Sequence, residues 1–310
     1  MKLISVVTAC FNEEENVEET YRQVRAVFAG LEGYDYEHLF IDNASTDRTV
    51  EILKRLAASD PRLKIIVNTR NFGHIRSPFH GLLQARGEAA ILTVADLQDP
   101  PEMIADFLRE WEAGYKIVIA VKQASQESWP LRNLRRLYYR MASRLSEVEL
   151  VQNFTGFGLY DQEVLQKLRE IDDPYPYFRG LICDLGYARA EIPYTQPRRA
   201  RGLTKNNFYT LWDMAMLGIT NHSKVPLRLA VMTGFGMAGL SLLVALGYLI
   251  YKLVHWNSFQ VGIAPLVIGI YFFASVQLIF IGILGEYIGA IHTQVLKRPL
   301  VIEKERVNFD

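Results

Sequence analysis

At 310 residues the chain is too long for one minimal domain, and its 34 basic and 34 acidic side chains cancel to a formal net charge of +0. That balance excludes the global positive field by which proteins gather nucleic acid. Half of the residues are hydrophobic, and the two cysteines, Cys10 and Cys183, stand in no metal-ligand spacing, which suits a reducing compartment without disulfides.

The N-terminal half alternates short apolar runs with amphipathic ones. Leu3–Ala9 reads as a buried strand, and Glu13–Ala29 as a helix with Val17, Tyr21, Val24 and Phe28 at helical spacing. His38–Ile41 is a second strand, followed by a helix from Asp47. Lys64–Val67 is a third strand and Ile75–Arg86 a helix; Ala90–Ala95 a fourth strand and Pro101–Glu112 a proline-started helix; Lys116–Val121 a fifth strand. This βαβα rhythm predicts an α/β domain with a mainly parallel sheet covered on both faces, and in such sheets ligands sit at the carboxyl ends of the strands. Beyond Val121 the rhythm fades: Pro130–Leu145 reads as a basic helix, Asn153–Tyr160 as extended, Asp161–Arg169 as helical and Asp172–Arg179 as a loop.

The last third changes character. Asn207–Ile219 is aromatic and amphipathic, suited to a headgroup layer. Leu229–Tyr251 and Ile263–Gly285 then contain no Asp, Glu, Lys or Arg. At ~1.5 Å per residue each run covers roughly 35 Å, enough to cross a hydrocarbon core. Lys and Arg flank both runs on their outer sides, whereas the connecting turn carries a single Lys, so both ends are expected in the cytoplasm. No signal peptide is read at the N-terminus. The predicted organisation is a catalytic domain over 1–206, a juxtamembrane segment over 207–228, a two-helix membrane module over 229–290 and a cytoplasmic tail over 291–310. Gly234-Phe-Gly-Met-Ala-Gly239 fits a dinucleotide fingerprint but sits inside an apolar span with no preceding strand, so close helix packing is the expectation there and for Gly285 and Gly289.

Polar clusters fall where the parallel sheet would place them. Phe11-Asn12-Glu13 ends the first strand; Asn12 can cap a helix or meet a nucleobase or phosphate. Asp42 emerges from the second strand, where a carboxylate can accept from a ribose hydroxyl. Asp96 and Gln98, expected to point the same way at the end of the fourth strand, offer hard oxygen ligands for Mg²⁺ or Mn²⁺, which can also hold a diphosphate. Lys122 and Arg136 are candidates for a second phosphate.

In this order the clusters resemble glycosyltransferase family 2, which has a GT-A fold. Its aromatic-Asn-Glu appears as Phe11-Asn12-Glu13, its Asp-Asp-Gly-Ser-x-Asp as Asp42-Asn43-Ala44-Ser45-Thr46-Asp47, its Asn-x-Gly as Asn71-Phe72-Gly73, and its Asp-Ala-Asp-Leu-Gln-x-Pro-Pro as Val94-Ala95-Asp96-Leu97-Gln98-Asp99-Pro100-Pro101. With two trailing spans the chain is similar to the polyprenyl-phosphate branch of that family, which often carries Arg-x-x-Gly-x-Ser-Lys before the membrane; Arg199-Ala-Arg201-Gly-Leu-Thr-Lys205 stands here.

The resemblance implies a UDP- or GDP-linked sugar donor held by Asn12, Glu13, Asp42, Asn71 and Gly73, a divalent metal on Asp96 and Gln98, and an acceptor phosphate at Arg199, Arg201 and Lys205. It implies one sugar passed with inversion to undecaprenyl or dolichyl phosphate at the cytoplasmic face of the cell (inner) membrane, the bilayer being a further partner and a homo-oligomer permitted. Another lipid or a glycan as acceptor, and a silent membrane scaffold, are the alternatives. The chain departs from the pattern at Val94, at Asn43-Ala44 and at Asn153, where relatives often carry an Asp. A phosphate acceptor arrives already anionic and can attack without a general base.

Overall fold

The computed structural model describes residues 1–123, 151–197, 216, 223–255 and 263–309. The basic helix expected over 130–145 and, Met216 apart, the amphipathic segment over 207–219 lie outside the described residues.

Eight strands form one sheet: β1 (Lys2–Cys10), β2 (Tyr34–Asp42), β3 (Leu63–Asn68), β4 (Ala89–Val94), β5 (Ile117–Lys122), β6 (Phe154–Asp161), β7 (Arg189–Tyr194) and β8 (Glu303–Val307). Their order is β7-β5-β6-β4-β1-β2-β3-β8. β1 pairs in parallel with β2 and β4, β2 with β3, and β5 with β7. Two strands run the other way: β6 is inserted between β4 and β5, and β8 closes the far edge against β3. The insertion of β6 brings backbones so close that a side chain at Gly158 would strike the Val118 carbonyl.

The central strands are buried on both faces, as a parallel sheet covered by helices requires. Val7, Leu39 and Ile41 pack with Phe79 and Leu82 of α3 (Gly73–Leu83) and with Val164, Leu165 and Leu168 of α5 (Gln162–Glu170). On the alternate face Ile4 and Val6 pack with Val24 and Phe28 of α1 (Val17–Ala29) and Phe107 of α4 (Met103–Glu112), while Phe40 meets Leu53 of α2 (Thr49–Ala57). α1 starts a turn later than its periodicity suggests, because Asn16 and Val17 both donate to the Glu13 carbonyl in a preceding turn. The segment read as a loop up to Arg179 gives way to α6 (Phe178–Asp184).

Two long helices follow, α7 (Val225–Val254) and α8 (Ile263–Leu296), both long and apolar enough to be candidate membrane spans. Among the described residues of this chain the glycines expected to mediate close helix packing touch no neighbour: a Cβ at Gly234, Gly236, Gly239, Gly285 or Gly289 would meet nothing within 4 Å. Instead the Tyr287 hydroxyl donates to the Ser223 carbonyl at 2.6 Å, tying α8 to the start of α7.

α8 runs well past the uncharged stretch and reaches the sheet domain, where the Gln294 amide donates to Asp173 at 2.8 Å and Lys297 pairs with Asp172 at 3.5 Å. The residues beyond, assigned by sequence to a tail, add β8 to the sheet. Asn308 seals the join, its amide donating to the Ala57 and Leu63 carbonyls at 2.9 Å each. Lys54 meets Glu305 at 2.6 Å, and His80 lies 2.6 Å from Glu303, which Arg306 also grips.

Burial alone would raise the pKa of Glu303, but the hydrogen bonds from Arg306 and His80 hold it below its ordinary value of 4.5. A carboxylate depressed in the folded state stabilises fully above its unfolded pKa and loses that contribution as pH falls through the folded one. Amide exchange over residues 303–307, corrected for intrinsic rates, should therefore accelerate as the pH drops below 4.5. In Glu303→Gln that acid-dependent step should be absent.

Candidate active site

The carboxyl ends of β1, β2 and β4 lie side by side, and their loops brace one another. The Asn12 amide N–H donates to Ser45 Oγ at 2.8 Å, while Asn12 Oδ1 accepts from the Thr46 N–H at 2.8 Å. The Glu13 N–H reaches Thr49 Oγ1 at 2.9 Å and the Glu14 N–H reaches Asp47 at 3.2 Å. Glu13 Oε2 accepts from the Asn16 amide at 2.6 Å. Asn12 and Glu13 thus stand half-buried on a loop held from the β2 side.

Asp42 is wholly buried, and burial raises its pKa against the hydrogen bonds that oppose it. One carboxylate oxygen accepts from the Ser45 N–H at 2.9 Å and the other from the Ser45 hydroxyl. The carboxylate expected on the nucleoside also shapes the turn beneath the loop. The next residue, Asn43, is one that sequence reasoning counted only as a lost carboxylate. Its amide nitrogen donates to Asn71 Oδ1 at 2.9 Å and to the Gly73 carbonyl at 3.1 Å, and its oxygen accepts from the Phe72 N–H at 2.8 Å. The Asn71–Gly73 segment is thereby locked to the β2 loop, with Gly73 at φ +89°.

Strand β4 ends at Val94, so Asp96 and Gln98 lie in a turn rather than alternating along a strand. Leu97 takes φ +59°, and Asp96 Oδ1 accepts the Gln98 N–H at 3.1 Å. The Gln98 side-chain nitrogen points toward the Pro197 carbonyl at 3.5 Å. Val94, where the family pattern has a carboxylate, is 39% exposed. Asp99, quoted in the motif but given no role by the sequence, stands three residues from Asp96. It is 6% exposed, and burial together with the Asp96 charge pushes its pKa up to about 7, opposed by Lys122 and by hydrogen bonds from the Val94 N–H and the Tyr194 hydroxyl. The structure therefore gathers Asp96, Gln98, Asp99 and Lys122 around the ends of β4 and β5. Arg136, Arg199, Arg201 and Lys205 lie outside the described residues.

Two adjacent buried carboxylates with one amine near them form an electron-rich oxygen set that a divalent cation would relieve, so the donor chemistry fits Mg²⁺ or Mn²⁺. Among the described residues no three His, Cys, Asp or Glu side chains gather to hold an ion by themselves. Substrate oxygens and water would have to complete the coordination.

Residues 5–169 match the profile described as Glycosyl transferase family 2. The chain belongs to that family. It is a glycosyltransferase of the branch that holds the bactoprenol glucosyl transferases. It is 35% identical over 303 residues to the SfII prophage-derived bactoprenol glucosyl transferase of Shigella flexneri, covering 97% of each chain. It is 33% identical over 307 residues to the uncharacterized glycosyltransferase YkcC of Bacillus subtilis, covering 99% of this chain and 94% of that one. Among solved structures, the mannosyltransferase PcManGT of Pyrobaculum calidifontis, in complex with GDP-Man and Mn2+, superposes over 95% of this chain and 87% of its own with a TM-score of 0.46 at 15% identity.

The family's Asp-Gly becomes Asn43-Ala44, and Ala44 sits at φ +63°, a left-handed conformation that costs a side-chain-bearing residue about 1–2 kcal/mol. Ala44→Gly should therefore stabilise the protein by about 1 kcal/mol, read as a higher unfolding midpoint. Asn43→Asp should do the opposite. An acceptor-only carboxylate would face Asn71 Oδ1 and the Gly73 carbonyl, costing roughly 1–3 kcal/mol and weakening nucleotide binding in a calorimetric titration.

Proposed function

We propose that the chain transfers a single sugar from a nucleotide-sugar donor to a polyprenyl phosphate at the cytoplasmic face of a membrane. One observation carries the reading: Asp96, Asp99 and Lys122 are brought together beside the braced Asn12–Glu13 and Asn71–Gly73 loops, in a chain that also carries two long apolar helices. The near full-length similarity to bactoprenol glucosyl transferases supports the lipid acceptor.

Asn12, Glu13, Asp42, Asn71 and Gly73 are assigned to the donor, Asp42 also holding Ser45 in the loop beside Asn12. Asp96, Gln98 and Asp99 would hold a Mg²⁺ or Mn²⁺ ion, whose charge neutralises the leaving diphosphate. Lys122 lies on the far side of the carboxylates and, with Arg136, Arg199, Arg201 and Lys205, is assigned to the acceptor phosphate. That acceptor is already an anion, so the protein's contribution is positioning and charge compensation. Attack in line with the leaving nucleotide inverts the anomeric centre. The chain has no Gln-x-x-Arg-Trp segment of the kind that processive family members usually carry, which favours one sugar per turnover.

Membranes carrying the protein, supplied with labelled nucleotide sugars, divalent metal and polyprenyl phosphate, should form a labelled lipid; chelation should stop the reaction. Asp96→Asn should abolish labelling while leaving membrane insertion intact, and wild-type rates in that variant would sink the metal assignment. Lys205→Ala should raise the polyprenyl phosphate concentration needed for half-maximal rate at unchanged donor dependence. Donor binding without transfer to any lipid would favour a silent scaffold instead.

A further inference from the structure

Beside the donor loop the structure collects positive charge outside the residues assigned above to donor, metal and acceptor. Arg70 precedes α3, and His74 and Arg76 occupy its first turn. The ring of Phe72, itself buried, is flanked by the guanidinium groups of Arg70 at 4.0 Å and Arg76 at 5.5 Å. Arg76 donates through one terminal nitrogen to the Pro299 carbonyl, just past the end of α8, while its Nε is buried without a partner. Burial, then the charge of Arg70, lowers the Arg76 pKa, and Arg298 adds to the effect. Arg179, in the first turn of α6, donates to the Phe154 carbonyl at 3.4 Å and stacks over Tyr177 at 5.3 Å. The protein mass around His74 and the Arg179 charge together lower the His74 pKa, so Arg179 lies close enough to act on the first turn of α3.

The acids in the neighbourhood are engaged elsewhere, Asp172 with Lys297 and Asp173 with Gln294. Among the described residues no carboxylate lies within ion-pair distance of Arg70, Arg76, Arg179 or Arg298. Gathering four guanidinium groups without a counter-charge is unfavourable unless an anion is drawn in, and the planar guanidinium fork matches phosphate oxygens. The site also adjoins the long apolar helix, since α8 runs from its uncharged stretch, which ends at Gly285, on to Leu296. Arg298 and Pro299 follow directly.

We propose that Arg76 and Arg179, with Arg70, His74 and Arg298 around them, form a binding site for the phosphate group of a membrane lipid, next to the Asn71–Gly73 donor loop. The site rests on the reading of α7 and α8 as membrane spans. Two lipids present this chemistry, the phosphomonoester of the polyprenyl acceptor and the phosphodiester of a glycerophospholipid headgroup.

The test uses the full chain in neutral detergent micelles, titrated without donor with undecaprenyl phosphate, phosphatidylglycerol or uncharged undecaprenol. The variants are Arg76→Gln, Arg179→Gln and, at exposed positions less able to disturb folding, Arg70→Gln with Arg298→Gln. The wild type should bind the phosphorylated lipids more tightly than the prenol. The variants should lose about tenfold or more of that affinity, as expected for a charge-assisted contact, with nucleotide affinity unchanged. Loss confined to undecaprenyl phosphate assigns a contact to the acceptor lipid additional to Lys122, Arg136, Arg199, Arg201 and Lys205; equal loss with phosphatidylglycerol assigns the headgroup. Unchanged affinity for both lipids in the exposed pair and in any folded single variant overturns the site, as does a parallel loss of nucleotide binding. Arginine-dependent lipid binding in a wild type that transfers no sugar would overturn the proposed function while leaving this site standing.

Discussion

The hydrogen bonds that tie the loop after β1 to the loop after β2 are the constraint on which the rest of the site depends. Asn12 both donates to Ser45 and accepts from Thr46, and Asp42 holds Ser45 from the buried side. Asn43 then extends the same bracing to Asn71 and Gly73 on the next loop. Three separate connections thereby behave as one surface at the carboxyl edge of the sheet. The bracing has a cost in the backbone: Asn12 and Ala44 both take positive φ, as do Leu97 and Asn153 farther along the same rim. Strain of about 1–3 kcal/mol per residue persists only where neighbouring contacts over-determine the conformation. These hydrogen bonds supply that over-determination.

Charge at the centre of the site follows a complementary logic. The family pattern supplies an extra carboxylate at the position of Val94, and this chain lacks it. Asp99 partly offsets the loss, because the turn through Leu97 folds it back beside Asp96 and under Lys122. Asp99 is held by the Tyr194 hydroxyl, so β7, far away in sequence, helps to place it. The mixed sheet matters here. With β6 inserted antiparallel between β4 and β5, the ends of β4, β5 and β7 approach the same rim.

The far edge of the sheet is tied to the second long apolar helix. α8 does not end at the apolar boundary but continues into contacts with Asp172 and Asp173, and the chain then returns as β8. An edge strand is a liability when exposed, and β8 covers β3 with a partner from the same chain. The strap also places Pro299 against Arg76, whose guanidinium lies over Phe72 of the Asn71–Gly73 loop.

Much of this architecture was legible in the chain. Continuous apolar runs at strand length, amphipathic runs between them and two uncharged stretches of membrane length determined the α/β domain, the first five strands and the two long helices, because these depend on local periodicity and burial. The polar clusters at Asn12, Asp42, Asn71 and Asp96 were found for the same reason, since strand ends are local features. Tertiary structure alone decided that Asp42 is buried against Ser45, that Asn43 rather than a carboxylate ties the loops, that Asp99 joins Asp96, that Tyr287 ties α8 to the start of α7, and that residues 303–307 complete the sheet. Each of these depends on partners distant in sequence, or on whether a polar group finds its hydrogen bonds inside the protein or outside it. Local pattern carries no record of that choice, because the same side chain serves either role until long-range packing supplies its neighbours.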